Sequence, residues 1–376
     1  MIHILYSADY ELYLGGLCLP EEEVLIQPTE HLLTTCDRLG IPLTLFADLA
    51  CLWRYRELGL DHFPTRAETQ LQNAAQRGHD VQTHLHPHWA YTRIEGQHFR
   101  FDNKHYLLGT VDPDPAVRLA LTKTWLQRAA DSLTQLIAPL VPSYQCLAFR
   151  AGGYGLQPDT PMILKALEET GYHIDSSIIP GARLTSSVQQ VDFTQLPPLS
   201  NYWLSEQQGL YSPAPPGTGL FEIPIAACPL TRRDRLILQT PQAARQAWTI
   251  LRGIPPTPPR GHPCNTPSSS TPLPGTRWHH AYWRAQALMH VNFLRLELGT
   301  NPKPLLTCVR RYLEKYYKSS NETIFFSLNC HPKGIHQPHL ETLATFHAAL
   351  TRHYQHDIQA ITFQQAWQII QKNIRE

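Results

Sequence analysis

Three histidines at alternate positions, His84, His86 and His88, form a cluster that could bind a metal. They come directly after a short segment whose composition predicts a β-strand, and alternation along a strand places every second side chain on the same face. Neutral imidazole is a common ligand of borderline-soft divalent metals. Pro87 disfavours helix at His86, so we expect the strand to give way to a loop there. In a chain with 20 histidines, such a cluster can also arise by chance.

Polar side chains follow four further predicted strands. Asp9 alone could be explained equally well by an Asx turn or a helix cap. Five strand ends that each carry a polar residue are harder to attribute to chance, because the carboxyl ends of barrel strands usually face the active site. The residues at these ends are Asp9 with Glu11, His84 with His88, Arg150, Asp175 and His331.

The elements that would position these residues alternate between strand and helix. This alternation is typical of a parallel sheet with outer helices, and therefore of the α/β class. The glycine-rich turn from Arg150 to Gly155 indicates a close approach of the backbone to another group. We predict strands over 2–8, 41–46, 146–149, 172–174, 221–225 and 324–328, and helices over 28–39, 66–77, 115–137, 158–170, 281–297, 303–317 and 338–354.

Length and composition limit the possible functions. The chain has 376 residues, of which 42% are hydrophobic, 17% are charged and eight are cysteine. A formal net charge of +1 gives no reason to expect nucleic acid or an anionic membrane as a partner. The cysteines are scattered without a Cys-x-x-Cys pair, which favours reduced thiols over a structural zinc site.

The chain shows no targeting segment of a recognised kind. It has neither a secretory signal nor a run of about 18 apolar residues, so we expect no integral membrane segment and a cytoplasmic location. We expect one domain over 1–376. Residues 253–276, which contain eight prolines with several serines and threonines, should form a flexible insertion.

Taken together, the motifs resemble those of the polysaccharide deacetylase family, the NodB-homology group of carbohydrate esterase family 4. This resemblance implies a distorted (β/α) barrel with fewer strands than the regular eight, about seven. It covers most of the chain in the family's motif order. The motifs are Ser7-Ala-Asp9-Tyr-Glu11, His84-Leu-His-Pro-His88, Arg150-Ala-Gly-Gly-Tyr154, Asp175-Ser-Ser177 and Leu328-Asn-Cys-His331-Pro332.

The resemblance also implies residue roles. His84 and His88 match the two imidazole ligands of the metal. Asp9 matches the general base, and Arg150 matches the residue that orients it. His331 matches the general acid, and Asp175 matches the carboxylate that orients this acid.

The first motif departs from the family pattern. The family commonly has two adjacent aspartates, the second of which binds metal, but Tyr10 occupies the second place here. Glu11 would then complete the metal site, since it shares a strand face with Asp9. Asp9 as the metal ligand is the alternative.

Two histidines and one carboxylate would leave an open position on the metal, which is typical of a catalytic site. We expect Zn²⁺, with Co, Ni, Fe or Mn as alternatives set by availability. The metal lowers the pKa of bound water from about 15.7 towards 7. Metal and a backbone N–H in the turn that contains Gly153 and Tyr154 would stabilise the oxyanion. We expect His79 and His86 to be structural, and the aromatic residues Trp89, Tyr91, Tyr202 and Trp203 to be candidates for stacking on sugar.

The expected function is metal-dependent removal of an N-acetyl group from a sugar or glycan precursor. Two alternatives remain open at this stage. One is a non-catalytic glycan-binding relative, which the altered first motif allows. The other is C–N hydrolysis of a non-sugar amide, because loop residues set the substrate.

Overall fold

The computed structural model describes residues 1–12, 20–95, 98–186, 188–229, 291–317 and 322–375. The predicted insertion at 253–276 lies outside the described residues. The strands are Ile2–Tyr10 (β1), Leu43–Asp48 (β2), Asp80–Leu85 (β3), Arg93–Glu95 (β4), His98–Arg100 (β5), Ala148–Ala151 (β6), Ile174–Asp175 (β7), Arg183–Thr185 (β8), Gln190–Asp192 (β9), Trp203–Ser205 (β10), Gly209–Ala214 (β11), Leu220–Glu222 (β12), Ala227–Pro229 (β13), Val291–Phe293 (β14), Ile324–Cys330 (β15) and Ile358–Ala360 (β16).

The helices lie between these strands and cover the outside of the sheet. Their ends follow local sequence signals: helix α1 ends at Gly40, which adopts the left-handed conformation, and helix α4 begins at Pro115 after the capping residue Asp114. The helices are Gln27–Leu39 (α1), Leu49–Glu57 (α2), His62–Gln76 (α3), Pro115–Ile137 (α4), Thr160–Glu169 (α5), Pro302–Tyr316 (α6), Gln337–Tyr354 (α7) and Phe363–Arg375 (α8).

One sheet organises the described part of the chain. Its strand order is β11-β10-β12-β7-β6-β3-β2-β1-β15, and β16 pairs with β1 beside this path. Strands β1, β2, β3 and β15 are buried along their whole length. The sequences of β1, β2 and β15 are accordingly mostly apolar, as expected for parallel strands covered on both faces. Strand β3 differs, because it also buries polar residues such as Asp80 and Gln82.

The sheet curls until its two sides meet. Ile225 forms a parallel bridge with Ser327 of β15, and the amide of Ser327 donates to the carbonyl of Pro224 at 2.9 Å. On the other side, the amide of Ile225 donates to the carbonyl of Ile178 at 2.9 Å. The segment after β12 thus closes a ring with β7, β6, β3, β2, β1 and β15. The α/β class and the distorted (β/α) barrel are confirmed, while β10, β11 and β16 extend the sheet beyond the ring.

The predicted helix over 281–297 is wrong in its described part. Residues Val291–Phe293 form β14, which pairs with β13, and Leu296–Leu298 form a single 3-10 turn. Arg295 forms a parallel bridge with Asn329 of β15. Pairing with distant strands therefore overrides the local helix preference of this segment.

Two further observations concern the chain as a whole. Within the described ranges, no helix combines the length and the apolar character that a bilayer span requires. No disulfide joins any two of the six cysteines that lie in the described residues.

Candidate active site

The carboxyl ends of β1, β3, β6 and β15 meet at one end of the barrel. Asp9 and Glu11 are both buried there, on one side of β1. The intervening Tyr10 points away, and its hydroxyl donates to Gln70 at 3.0 Å. Strand alternation thus separates Tyr10 from the two carboxylates and brings Asp9 and Glu11 to the same site.

Asp9 is held by charged and polar partners on both carboxylate oxygens. Arg150 donates to Oδ1 at 2.7 Å, and Asn329 donates to Oδ2 at 2.9 Å. Burial raises the pKa of Asp9, but Arg150, His331 and His84 outweigh burial, so its pKa lies below the usual value. Asp9 is therefore ionised at neutral pH.

Arg150 is 0% exposed and connects four parts of the barrel end. Besides Asp9, its guanidinium donates to Asn329 Oδ1 at 3.0 Å, to the carbonyl of Ser176 at 2.9 Å and to Ser176 Oγ at 3.0 Å. It also lies 4.1 Å from the ring centroid of Phe46. A buried arginine is stable only when its donors are satisfied, and these contacts satisfy them.

Glu11, His84 and His86 form a buried group whose ligand atoms all lie within 4.8 Å of one another. Glu11 Oε2 is 2.6 Å from His86 Nε2 and 3.3 Å from His84 Nε2. His84 Nδ1 donates to the carbonyl of Arg150 at 2.8 Å, which directs Nε2 towards Glu11. Lys333 donates to the other oxygen of Glu11, Oε1, at 2.7 Å.

The charges in this group shift its pKa values in opposite directions. Burial raises the pKa of Glu11, but Lys333, His86 and His84 together hold it well below the usual value. Burial lowers the pKa of His84, yet its hydrogen bond to Glu11 and the charges of Asp9 and Glu11 raise it above the usual value. One carboxylate and two imidazoles are a donor set that suits Zn²⁺, so Glu11, His84 and His86 fit a divalent ion.

The structure differs from the expectation for His88. The extended backbone persists to His86, and Pro87 then begins a 3-10 turn over Pro87–Tyr91. This turn removes His88 from the strand face, so His86 takes the place beside His84 that the motif spacing gave to His88. The His88 ring stacks on Tyr106 with 5.2 Å between centroids, and neither of its nitrogens has a hydrogen-bond partner among the described residues.

His331 lies opposite the imidazole pair. Its Nε2 is 3.3 Å from Asp9 Oδ2 and 3.4 Å from Glu11 Oε1, while its Nδ1 donates to Glu297 at 2.5 Å. Arg295 donates to the same Glu297 carboxylate. Burial raises the pKa of Glu297, but Arg295 and His331 lower it to about 2. Burial and Arg295 lower the pKa of His331, whereas Glu297 and Asp9 raise it above its usual value.

Asp175 does not take the place beside His331 that the resemblance implied. Its carboxylate accepts from the amide of Ser177 at 2.9 Å and from Ser177 Oγ at 2.8 Å. Strand β7 ends at Asp175, so the side chain turns back to cap the turn that follows. Ser177 Oγ in turn accepts from the amide of Ala151 at 2.8 Å, and Asp175 therefore supports the turn after Arg150. Glu297 is the carboxylate that accepts from Nδ1 of His331.

The turn after Arg150 brings backbone close to the histidines. Gly153 and Tyr154 both have positive φ, 62° and 59°. Burial raises the pKa of Tyr154 to about 12, and its hydroxyl lies 3.5 Å from Asn329 Nδ2. Gly153 and Tyr154 thus lie at the edge of the site, where the oxyanion role remains a prediction.

The aromatic residues named from the sequence are mostly unavailable for stacking on sugar. Trp89, Tyr202 and Trp203 are buried, and Trp89 packs against Phe99 and Phe101. Tyr91 stacks on His105 with 4.1 Å between ring centroids. The rings of Trp89 and Tyr91 are therefore used in packing the segment after β3, and those of Tyr202 and Trp203 are buried at β10.

Several site residues were missed by the sequence analysis. Asn329 and Asp48 carried a usable signal, because each follows or ends a predicted strand; Asp48 accepts from the amide of His86 at 3.2 Å. Lys333 lies two residues after His331. Glu297 and Arg295 carry no such signal, because the pattern of their segment predicts a helix.

No family model and no curated protein sequence matches this chain. Solved structures do match it in fold. A protein of Mycobacterium smegmatis named as a polysaccharide deacetylase is 14% identical, with 99% of this chain and 91% of that chain covered and a TM-score of 0.44. One of Pseudomonas aeruginosa PAO1 with a similar name is 12% identical, with 100% and 91% covered and a TM-score of 0.47. PuuE allantoinase is 12% identical, with 96% and 87% covered and a TM-score of 0.43. At this level of similarity the likeness concerns the fold and transfers no activity.

Proposed function

We propose that this protein is a metal-dependent hydrolase that removes an N-acetyl group from a sugar or glycan precursor. The observation that carries the proposal is the position of His331. Its Nε2 lies within 3.4 Å of both Asp9 and Glu11, so the residues for proton transfer adjoin the residues that could hold a metal. Amide hydrolysis needs both kinds of group at one carbonyl.

The proton-transfer roles follow from the ionisation of the groups. Asp9 is ionised and oriented by Arg150, so its Oδ2 can accept a proton from the attacking water. His331 carries a raised pKa, so its Nε2 can give a proton to the leaving nitrogen while Nδ1 stays bonded to Glu297. A divalent ion held by Glu11, His84 and His86 would supply Lewis-acid polarisation of the carbonyl and acidify a water.

The proposal also includes the identity of the metal, the location of the protein and the choice of an enzyme over a binding protein. We assign Zn²⁺ as the metal, with Co, Ni, Fe or Mn as alternatives, because imidazole and carboxylate suit all of them. The absence of disulfides among the described cysteines agrees with a cytoplasmic location. A binding protein without catalysis would not need Arg150 on Asp9 or Glu297 on His331, so we favour the enzyme over the non-catalytic alternative.

The test measures acetate release from a panel of free, nucleotide-linked and lipid-linked N-acetyl sugars, and separately the hydrolysis of a cyclic ureide, followed by its ring-opened product, as the non-sugar amide. Two matched variants each remove one charge. Asp9→Asn should keep the metal and lose about 10²–10⁴-fold in rate, the usual worth of general acid–base catalysis. Glu11→Gln should bind metal more weakly, and excess metal should restore part of its activity.

Metal content of histidine variants provides the control. His86→Ala should lose the ion, whereas His88→Ala should keep it, because His88 lies outside the group that includes Glu11. A metal-loaded protein that releases nothing from any member of the panel would contradict the hydrolase. If Asp9→Asn loses the metal while Glu11→Gln retains it, the roles of the two carboxylates are reversed and the hydrolase stands.

A further inference from the structure

Lys333 places a positive charge directly on a proposed metal ligand. Its Nζ donates to Glu11 Oε1 at 2.7 Å and to the carbonyl of Leu12 at 2.9 Å. The other oxygen of Glu11 faces His86 at 2.6 Å and His84 at 3.3 Å. The carboxylate is thus shared between an ammonium group on one oxygen and the two imidazoles on the other.

The position of Lys333 is fixed by the chain that carries it. Pro332–Gly334 form a 3-10 turn immediately after His331, and the amide of Gly334 donates to the carbonyl of His331 at 2.8 Å. The Lys333 side chain remains 13% exposed, and its ammonium group is held by two hydrogen bonds, to Glu11 and to the carbonyl of Leu12, which it could exchange for water. A lysine in this place can therefore be present at the carboxylate or withdrawn from it.

The charge on Glu11 explains why such a partner is needed. A buried carboxylate without a compensating charge is strongly destabilising. Lys333 supplies this charge through one oxygen, as a divalent ion would through coordination. An ammonium and a divalent ion on the same carboxylate repel each other at short range, where the site is shielded from water.

We propose that Lys333 is a resident counter-cation of Glu11 that competes with the divalent ion for this carboxylate. The inference rests on the proposed function, in which Glu11 is a metal ligand. Metal binding then requires Lys333 to withdraw, so Lys333 sets the affinity of the site for metal. The withdrawn ammonium would face solvent at the edge of the site.

The test compares Zn²⁺ binding to the metal-free full chain by calorimetry, with Co²⁺ absorption as a second readout. Lys333→Met should bind Zn²⁺ at least about tenfold more tightly, because the substitution removes the repulsion between the ammonium group and the divalent ion. Lys333→Arg keeps the charge and should stay close to the parent. Lys303→Met removes an exposed lysine on α6 and should leave the affinity unchanged.

Thermal unfolding keeps the test decisive where Lys333→Met is unstable without metal. Added Zn²⁺ should raise the melting temperature of this variant by more than it raises that of the parent, because tighter binding stabilises the folded state further. Equal or weaker Zn²⁺ affinity in Lys333→Met would overturn the competition while leaving the metal site intact. Failure of both proteins to bind any divalent ion would overturn the metal site and the competition together.

Discussion

The imidazole of His331 is held from both sides by carboxylates. Glu297 binds Nδ1, and Asp9 and Glu11 lie near Nε2. With Nδ1 committed to Glu297, the second proton of the ring can only be at Nε2, on the side of the site. Glu297 therefore determines which nitrogen can deliver a proton, and Arg295 keeps Glu297 ionised.

Glu297→Gln tests this positioning role. The amide keeps the size of the side chain but removes the charge that raises the pKa of His331. We expect the turnover number to fall by at least about tenfold, and by no more than the 10²–10⁴-fold that general acid–base catalysis contributes as a whole. Because the acid must be protonated, a lower pKa for His331 should shift the basic limb of the pH–rate profile to lower pH.

Two controls separate positioning from general damage. Glu168→Gln removes an exposed carboxylate and should leave the profile unchanged. Glu297→Asp retains the charge and should recover part of the rate. A Glu297→Gln protein with a lower rate but an unshifted basic limb would mean that Glu297 acts only on stability.

At the scale of the elements, the turn after β6 is built against the end of β3. A Cβ on Gly152 would lie 2.5 Å from the carbonyl oxygen of Leu85 and 2.7 Å from Cγ of His86. Position 152 therefore requires glycine, because any Cβ there would clash with the Leu85 carbonyl and the His86 ring. The turn and the strand that carries His86 fit together only with glycine at this position.

Gly152→Ala should accordingly displace His86 and weaken metal binding by about tenfold or more. Gly155→Ala is the control in the same turn, because its Cβ would meet Leu107 and the carbonyl of Gly152 but not His86. Zn²⁺ titration of both variants measures the difference. Equal affinities in the two variants would show that the contact with His86 has no part in the metal site.

The sequence predicted the elements whose signals are local. Continuous apolar runs indicated β1 and β15, Gly40 marked the end of α1, and helix α4 was predicted with its observed bounds. Asp9, Glu11 and Arg150 lie at the carboxyl ends of parallel strands of one sheet, and this topology predicts that they come close together.

The parts that sequence did not predict depend on contacts between distant segments. Glu297 reaches His331 because Arg295 pairs with Asn329 of β15, and nothing near Glu297 in the sequence indicates this pairing. The exchange of His86 for His88 depends on one 3-10 turn that starts at Pro87. The residue at which the extended backbone ends therefore decides which imidazole lies beside His84.

At the scale of the whole molecule, closure of the barrel buries titratable groups that take no part in the proposed reaction. Glu222 of β12 is the register partner of Asp175 of β7, and the negative charge of Asp175 acts on the buried carboxyl group of Glu222. Asp175 accepts two hydrogen bonds from Ser177, which stabilise its ionised form, so Asp175 rather than Glu222 carries the negative charge. Glu222 then holds the proton, because burial and the charge of Asp175 raise its pKa well above the usual value.

This pair makes stability depend on pH with a defined sign. An unfolded glutamate loses its proton near pH 4.3, whereas folded Glu222 keeps its proton to higher pH. Above that pH, ionisation of this glutamate lowers the free energy of the unfolded state but not that of the folded state. The free energy of unfolding therefore falls as pH rises. Each unit of pKa difference accounts for about 1.4 kcal/mol.

Glu222→Gln should remove this loss, because the amide keeps the size of the side chain and does not titrate. Relative to the parent, the variant should gain stability as pH rises from about 4.5 to 8 and should show little difference at the acidic end. Urea unfolding of both proteins across this range, with a chelator present to remove metal effects, measures the gain. Glu168→Gln on the surface should follow the parent at every pH. Parallel stability curves for the parent and Glu222→Gln would show that Glu222 is ionised in the folded barrel.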